Sequence, residues 1–470
     1  MAISSPGVGS GLDVNSIVSQ LVAIEKQPLK PLQGKASTLQ TQLSLYGTIK
    51  SQVSAVGDAA DVLAQAQGWT AQVASSSNTA AVTVSASSTA SASAFSLSVT
   101  QLARAQTTAS MNVTVDAALG APADTGTLTI DLGSWATGSF VASGSPVSVA
   151  INGTDTLTTA ASKINAANGG VTATVLRNGG QERLVFQSAT TGAAAGFRIA
   201  SAGFTGLDSL SLTSLSNPAQ SASGMVLGQS GLNATASLNG VAIDSATNTL
   251  SNVVPGLTLQ LLQVTNAPVQ ISVAQDQAAI QKNVQTLADA YSALSKTLGN
   301  ATRYVPGGLS GPLQGDSTTV GLQNLLRSIT GSISTGSIYS HLSEVGLEQQ
   351  ADGSLKLNTT KLTTAMADVA NLKKLFTTDN SNSASNGFGL KLRDFARGLV
   401  KFDGTVATKS TALQGAISRN AAEQDRVTER ASRMETQLRK QYSDLDGQMA
   451  KMNALGSYVT AQLAQWNKGG

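Results

Sequence analysis

The sequence predicts a multidomain α+β protein, with a terminal coiled coil or helical bundle built from both chain ends and mainly β domains inserted between them. Near both ends, apolar residues recur at steps of three or four, the spacing that gathers side chains onto one helix face. From about Trp69 to residue 275 the period falls to two, the signature of half-buried strands. The chain has 470 residues, beyond the roughly 250 to 300 at which a single core stops growing.

At the start, residues 1–12 are rich in glycine and serine, and Ser10 with Asp13 fits a capping pattern ahead of Val14, Ile17, Val18 and Leu21. That helix is expected to stop before Pro28, with Pro31 repeating the obstacle. A second helix is expected from about Gln33 to Ala66, with Leu39, Leu43, Tyr46, Lys50, Val53, Val56, Ala60 and Leu63 on one seam. The strands follow: Val82 and Val84, Phe95 to Val99, Leu128 to Leu132, Val147 to Ile151, Val171 to Val175, Phe197 and Ile199, Leu257 to Leu261, and Val269 to Val273. Asn152-Gly153, Asn178-Gly179-Gly180 and Asn239-Gly240 supply turns, and Val171 to Ser188 reads as a hairpin.

Helix returns after Asp276, a good N-cap, with Ile280, Val284, Leu287, Tyr291, Leu294 and Leu298 in four-three alternation. Further helices are expected at about 317–331, 359–376 and 387–402, with a short hairpin from Leu347 to Leu357. The last stretch, about 419–466, carries Val427, Ala431, Met434, Leu438, Tyr442, Leu445, Met449, Met452, Leu455, Val459, Leu463 and Trp466 on one face. At about 1.5 Å per residue it would be on the order of 70 Å long, too long to hide its stripe against itself. Met434, Met449 and Met452 fill such a stripe adaptably, while Gly447 and Gly456 each cost about 1 kcal/mol against alanine. The economical arrangement packs the two terminal helices together, leaving a seam to be completed by partners. Leu39, Leu43, Val53, Met434, Leu438, Leu445, Met452, Val459 and Leu463 are the expected partner- or oligomer-binding residues.

These features divide the chain into an N-terminal leg at 1–40, a bundle helix at 41–69, and a β domain in two parts, 70–110 and 231–275, around an inserted β domain at 111–230. A helical bundle domain at 276–415 and a C-terminal coiled-coil leg at 416–470 complete it.

Composition narrows the function. Charged residues make up 12% and aromatics 4%, against roughly 25% charged in average domains; this suits a surface or secreted structural protein. A net charge of +3 with scattered basic residues gives no nucleic-acid footprint. There is no cysteine, which removes disulfides, thiol catalysis and cysteine-bound metal. No run of about 18 apolar residues is present, so no membrane insertion is expected. The N-terminus has no classical secretory signal, so release from the cell would use another route.

No catalytic constellation is evident. His341 is the single histidine, without a second imidazole for metal or a nucleophile beside it, and reads as a solvated loop residue. Gly315-Asp-Ser-Thr lacks the Gly-Lys-Ser/Thr ending of a phosphate loop; Asp316 or Ser317 reads as an N-cap. No cofactor is expected and the chain is not read as an enzyme.

Gly7-Val-Gly-Ser-Gly-Leu-Asp-Val-Asn-Ser-Ile-Val18, with Ser10, Gly11, Leu12 and Asp13 at its centre, resembles the N-terminal signature of the hook-associated protein 2 family of flagellar filament caps. Phe95-Ser-Leu-Ser-Val-Thr-Gln-Leu-Ala103 resembles a strand motif shared by flagellins and hook-associated proteins. Asn248 to Leu259, Leu313-Gln-Gly-Asp-Ser317, Val345-Gly-Leu347 with Asp352-Gly-Ser-Leu355, and Met452-Asn-Ala-Leu-Gly-Ser-Tyr-Val459 are similar to later blocks. The resemblance is weakest across about 110–230. It implies an extracellular homo-oligomer, a pentamer, at the distal end of the bacterial flagellar filament, retaining exported flagellin and promoting its folding and polymerisation. It also implies type III export without a cleaved signal peptide, and contacts with hook-filament junction proteins and an export chaperone. A surface adhesin binding host glycan or mucin is the alternative expectation, and a secreted hydrolase is disfavoured by the missing constellation.

Overall fold

The structure, a computed structural model, describes residues 13–135, 139–213 and 224–467. Helices α1 (Val14–Glu25) and α2 (Leu29–Ala64) precede a β-rich stretch that holds α3 (Leu157–Ala166) and the single turn α4 (Thr205–Asp208). There follow α5 (Gln277–Thr302), α6 (Ser317–Thr330), α7 (Thr359–Ala365), α8 (Val369–Thr377), α9 (Phe388–Val400) and α10 (Thr405–Trp466). The chain forms two compact units, one from the residues up to Trp69 with those from Gln277 onward, the other Thr70–Asp276. Helices from both chain ends with sheets between them are thus the observed architecture.

In the helical unit, α2 presents Tyr46, Ile49, Val53, Val56, Ala60 and Leu63 to Ile280, Val284, Leu287, Tyr291 and Leu294 of α5 and to Phe388, Leu392 and Leu399 of α9, all buried in one core. Each such side chain contributes about 1.5 to 3 kcal/mol of transfer free energy. The α2–α9 crossing is close: a Cβ on Gly57 would meet the Ala396 Cβ at 2.8 Å, and one on Gly389 would meet the Ala64 nitrogen at 2.8 Å. Trp69 closes the end of α2, donating from Nε1 to the Leu63 carbonyl at 2.8 Å and packing on Phe376.

Four details differ from the sequence reading. Pro31 lies inside α2, in its first turn, where a backbone N–H would have no helical partner to lose. The buried seam of α2 uses Ile49, while Lys50 is exposed. The helix expected at 359–376 is broken at Asp368, which caps α8 by accepting from the Asn371 N–H at 3.0 Å. The last helix begins at Thr405, well before Arg419, and its 62 residues rise about 90 Å.

The β-rich unit has two main cores. One lies beneath an antiparallel five-stranded sheet in the order Gln72–Ser76, Val269–Gln275, Ser93–Gln101, Ala234–Leu238, Val241–Ser245, with a three-stranded sheet that pairs Leu257–Leu261 with Val82–Ala86. The other gathers Leu128, Ile130, Ile151, Leu184, Phe186, Phe197 and Ile199 from two further sheets. Val171–Asn178 and Gln181–Ser188 form the expected hairpin, with Asn178 opposite Gln181. Gly179 and Gly180 take φ of +60° and +81°, the mirror-image turn that matches strand twist and that glycine adopts without strain.

Helix α3 escaped the period-two reading. Asn152-Gly153 leads into it rather than into another strand: Thr156 caps Thr159 reciprocally, and Leu157, Ala160 and Ile164 are buried on the sheet. Asn165 then bonds both backbone groups of Ala173, at 2.7 and 2.8 Å, fastening the helix to the next strand.

Candidate partner-binding surface

Among the described residues, the C-terminal helix is covered by its own chain as far as about Tyr442 and uncovered beyond it. Val406 and Leu413 belong to the main core, and Asn420, Val427 and Ala431 are buried further along. At the upper end, Tyr46 on α2 donates its hydroxyl to Asp316 Oδ1 at 2.6 Å, and Lys409 on α10 reaches Asp316 Oδ2 at 2.6 Å. Asp316 also caps α6, accepting from the Thr319 N–H at 2.9 Å. Burial alone would raise this carboxyl, but the Lys409 ammonium, the Tyr46 hydroxyl and the Thr319 groups outweigh it and bring it down to about 2. The Tyr46 hydroxyl is pushed up, by burial first and by its bond to the Asp316 carboxylate next.

Lower down, α1 lies along α10. Asp13 caps α1 by accepting from the Ser16 N–H at 3.0 Å, and Val14, Val18 and Val22 are buried with Ala431, flanked by Leu438 and Tyr442. Arg430 pairs with Glu25, while Arg439 donates to Asn15 Oδ1 at 3.1 Å, so the helices run antiparallel. Beyond Tyr442 no described residue covers the seam. Leu445 is 42% exposed, Met452 66%, Val459 48% and Leu463 56%, with Leu455 and Tyr458 exposed beside them. Tyr458, Val459, Gln462 and Leu463 line a shallow cavity of about 320 Å³. From Met452 to Trp466 there is no charged residue, so this face can recognise a partner only by apolar burial and neutral hydrogen bonds.

The residues expected to bind partners therefore separate into three groups. Leu445, Met452, Val459 and Leu463 form one exposed line. Met434 and Leu438 are half-buried, Leu438 against α1, and Leu39 and Leu43 are half-buried against the main core. Val53 is 1% exposed inside the chain's own core and offers no surface to a partner. Of the N-terminal signature, Asp13 caps α1; Ser10, Gly11 and Leu12 lie outside the described residues. Tyr458 was not on the sequence seam; its step of three from Leu455 and of four to Gln462 is the signal that places it beside that line.

Two sequence profiles of one family match this chain: flagellar hook-associated protein 2 N-terminus over 10–106 and flagellar hook-associated protein 2 C-terminus over 231–454. Together they cover more than half of it. The chain belongs to the flagellar hook-associated protein 2 family. A flagellin hook IN motif matches 136–190. The chain is 28% identical to the flagellar hook-associated protein 2 of Escherichia coli, over 98% of both sequences. It is also 28% identical to the A-type flagellar hook-associated protein 2 of Pseudomonas aeruginosa, over 97% of this chain and 96% of that one. Its fold matches the three-domain crystal structure of the Escherichia coli flagellar cap protein at 27% identity and a TM-score of 0.59, across 79% of this chain and 99% of that one.

The family is a structural flagellar cap family, not an enzyme family. Among the described residues no three metal-ligating side chains cluster. His341 bonds Glu344 through Nδ1 at 3.0 Å on the surface. No described helix is long and apolar enough to cross a membrane.

Proposed function

We propose that this protein caps the distal end of a bacterial flagellar filament, retains exported flagellin beneath it and promotes its folding and polymerisation. The observation that carries this reading is the uncovered seam from Leu445 to Leu463, in a chain whose family is that of the filament cap. A cap must grip helical subunits and release them as more are inserted. A seam containing Met449 and Met452, interrupted by Gly447 and Gly456 and free of charge beyond Lys451, binds by adaptable apolar contact without one fixed register. Copies of the chain joined head to tail would close into a ring, and a pentamer is the stoichiometry we infer. Contacts with hook-filament junction proteins and an export chaperone, and export without a cleaved signal, belong to the same reading. The 111–230 segment as a separate inserted domain belongs to it too.

The test is complementation of a strain lacking its own cap protein. The parent chain should restore filaments, whereas Leu445→Asp or Val459→Asp should leave cells without filaments and leaking unpolymerised flagellin. Normal filaments with both variants would overturn the role assigned to the seam. No feature of the β-rich unit specifically favours the adhesin reading.

A further inference from the structure

We propose that Asn178 is a modification site at which the folded protein converts itself, losing ammonia through a cyclic imide to give aspartate and isoaspartate. This is independent of the capping role. The chain holds five Asn-Gly pairs, starting at Asn152, Asn168, Asn178, Asn239 and Asn386. With no Cβ on the second residue, its backbone nitrogen has the least obstructed approach to the preceding side-chain carbonyl carbon. The fold restrains four of the five. Asn239 Oδ1 accepts from the Ser96 N–H at 2.7 Å and Asn386 Oδ1 from the Asn380 N–H at 2.8 Å, so both side chains are pinned. Gly153 and Gly387 each donate their N–H at 2.8 Å, to the Asp124 and Thr378 carbonyls. Gly169 is buried, and a Cβ added there would lie 3.3 Å from the Val147 Cβ. Asn178 has no such restraint. Asn178, Gly179 and Gly180 are exposed, and nothing lies within 4 Å of a Cβ built on either glycine. Among the described residues no hydrogen bond holds the Asn178 side chain or the Gly179 N–H.

The reaction needs only water. The Gly179 nitrogen, its proton lost to hydroxide, attacks Asn178 Cγ; the new C–N bond closes the imide ring, the Cγ–Nδ2 bond breaks, and the amide leaves as ammonia with a proton taken from solvent. Water then adds to one of the two ring carbonyls. Opening on one side restores the backbone with aspartate at 178; opening on the other leaves isoaspartate, whose backbone runs through Cβ and Cγ. Either product lowers the formal net charge of +3 by one. The Arg177 guanidinium beside it is already shared between Asp116 Oδ1 at 2.6 Å and Glu182 Oε2 at 3.0 Å, so the new carboxylate adds uncompensated charge at the tip. Isoaspartate also lengthens the chain within the closing pair, Asn178 opposite Gln181, and breaks it. Deeper in the hairpin Ala173, Leu184 and Phe186 are buried in the core and hold the register, so the damage stays at the tip.

The test is incubation of the full chain in mildly alkaline buffer, followed by tryptic peptide mass analysis; cleavage after Arg177 and Arg183 isolates Asn178 in a short peptide of its own. In the folded protein, conversion of amide to acid at Asn178 should run at least fivefold faster than at any of the other four pairs, and labelling by an isoaspartyl methyltransferase should map to the same peptide. In the urea-unfolded chain the five pairs should react at rates within a few fold of one another, because the restraints on four of them are tertiary. Equal rates at all five in the folded protein, or a faster rate at Asn239 or Asn386, would overturn the proposal. Asn178→Gln, whose longer side chain must close a larger ring, should cut ammonia release from the folded protein severalfold at unchanged unfolding midpoint; undiminished release would also overturn it.

Discussion

Asp316 shows how one side chain joins three helices. It caps α6, receives the Tyr46 hydroxyl from α2 and pairs with Lys409 at the start of α10, contacts contributed by residues 270 and 93 positions away in sequence. Its folded carboxyl, at about 2, lies below the ordinary 3.8, so the stabilisation it provides is complete above pH 4 and is lost as pH falls toward 2. Urea midpoints of the parent protein should therefore drop between pH 5 and 2.5, and Asp316→Asn should flatten that slope while lowering the midpoint at pH 7. Asn420 is the contrasting case. Buried in α10, it accepts from Gln424 at 2.7 Å through Oδ1, but among the described residues its Nδ2 has no acceptor. Leaving a buried donor unsatisfied costs about 1 to 3 kcal/mol, so Asn420→Leu should raise the urea midpoint by the equivalent of about 1 kcal/mol at unchanged m-value.

At the scale of elements, the buried face of α1 consists of three valines. Val14, Val18 and Val22 sit at steps of four, and their spacing made the buried face readable. Val18 is fully buried, and Val18→Ala, which removes about two methyl groups' worth of apolar surface, should loosen α1 by about 1.5 kcal/mol. Faster amide exchange confined to α1 and its stretch of α10 would show it. The α2–α9 contact tolerates less: Gly57→Val would drive a side chain into Ala396 and should cost about 1 to 3 kcal/mol in global unfolding free energy. Nothing in the sequence around Gly57 announces this, because a close crossing depends on the facing helix. The same limit explains Val53. Its three-four spacing marks a buried face correctly, but spacing cannot say whether the burying surface is the chain's own or another molecule's.

At the scale of the molecule, covered and uncovered parts of one seam have different tasks. Val459→Asp replaces an exposed residue, so it should change thermal unfolding by no more than about 0.5 kcal/mol while abolishing filament growth. That dissociation of stability from assembly is absent for Val53→Asp, which should unfold the bundle. Because the seam beyond Lys451 lacks charge, its association with a partner should vary little with salt, a property measurable by sedimentation across ionic strengths.

The sequence by itself determined most of the kinds of element, α3 excepted, and the two ends that meet: periods of three to four and of two are local consequences of helix and strand geometry, and they survive any tertiary arrangement. Asn178-Gly179-Gly180 likewise fixed its hairpin, since Gly179 and Gly180 take positive φ without strain. Only the tertiary structure decided which apolar faces are already satisfied. Tyr46 to Leu63 face the chain's own helices, whereas Leu445 to Leu463 face none among the described residues, although the two runs look alike on paper. The reason is that burial depends on what packs across a face, over separations of hundreds of residues, and no spacing within a helix encodes its neighbour.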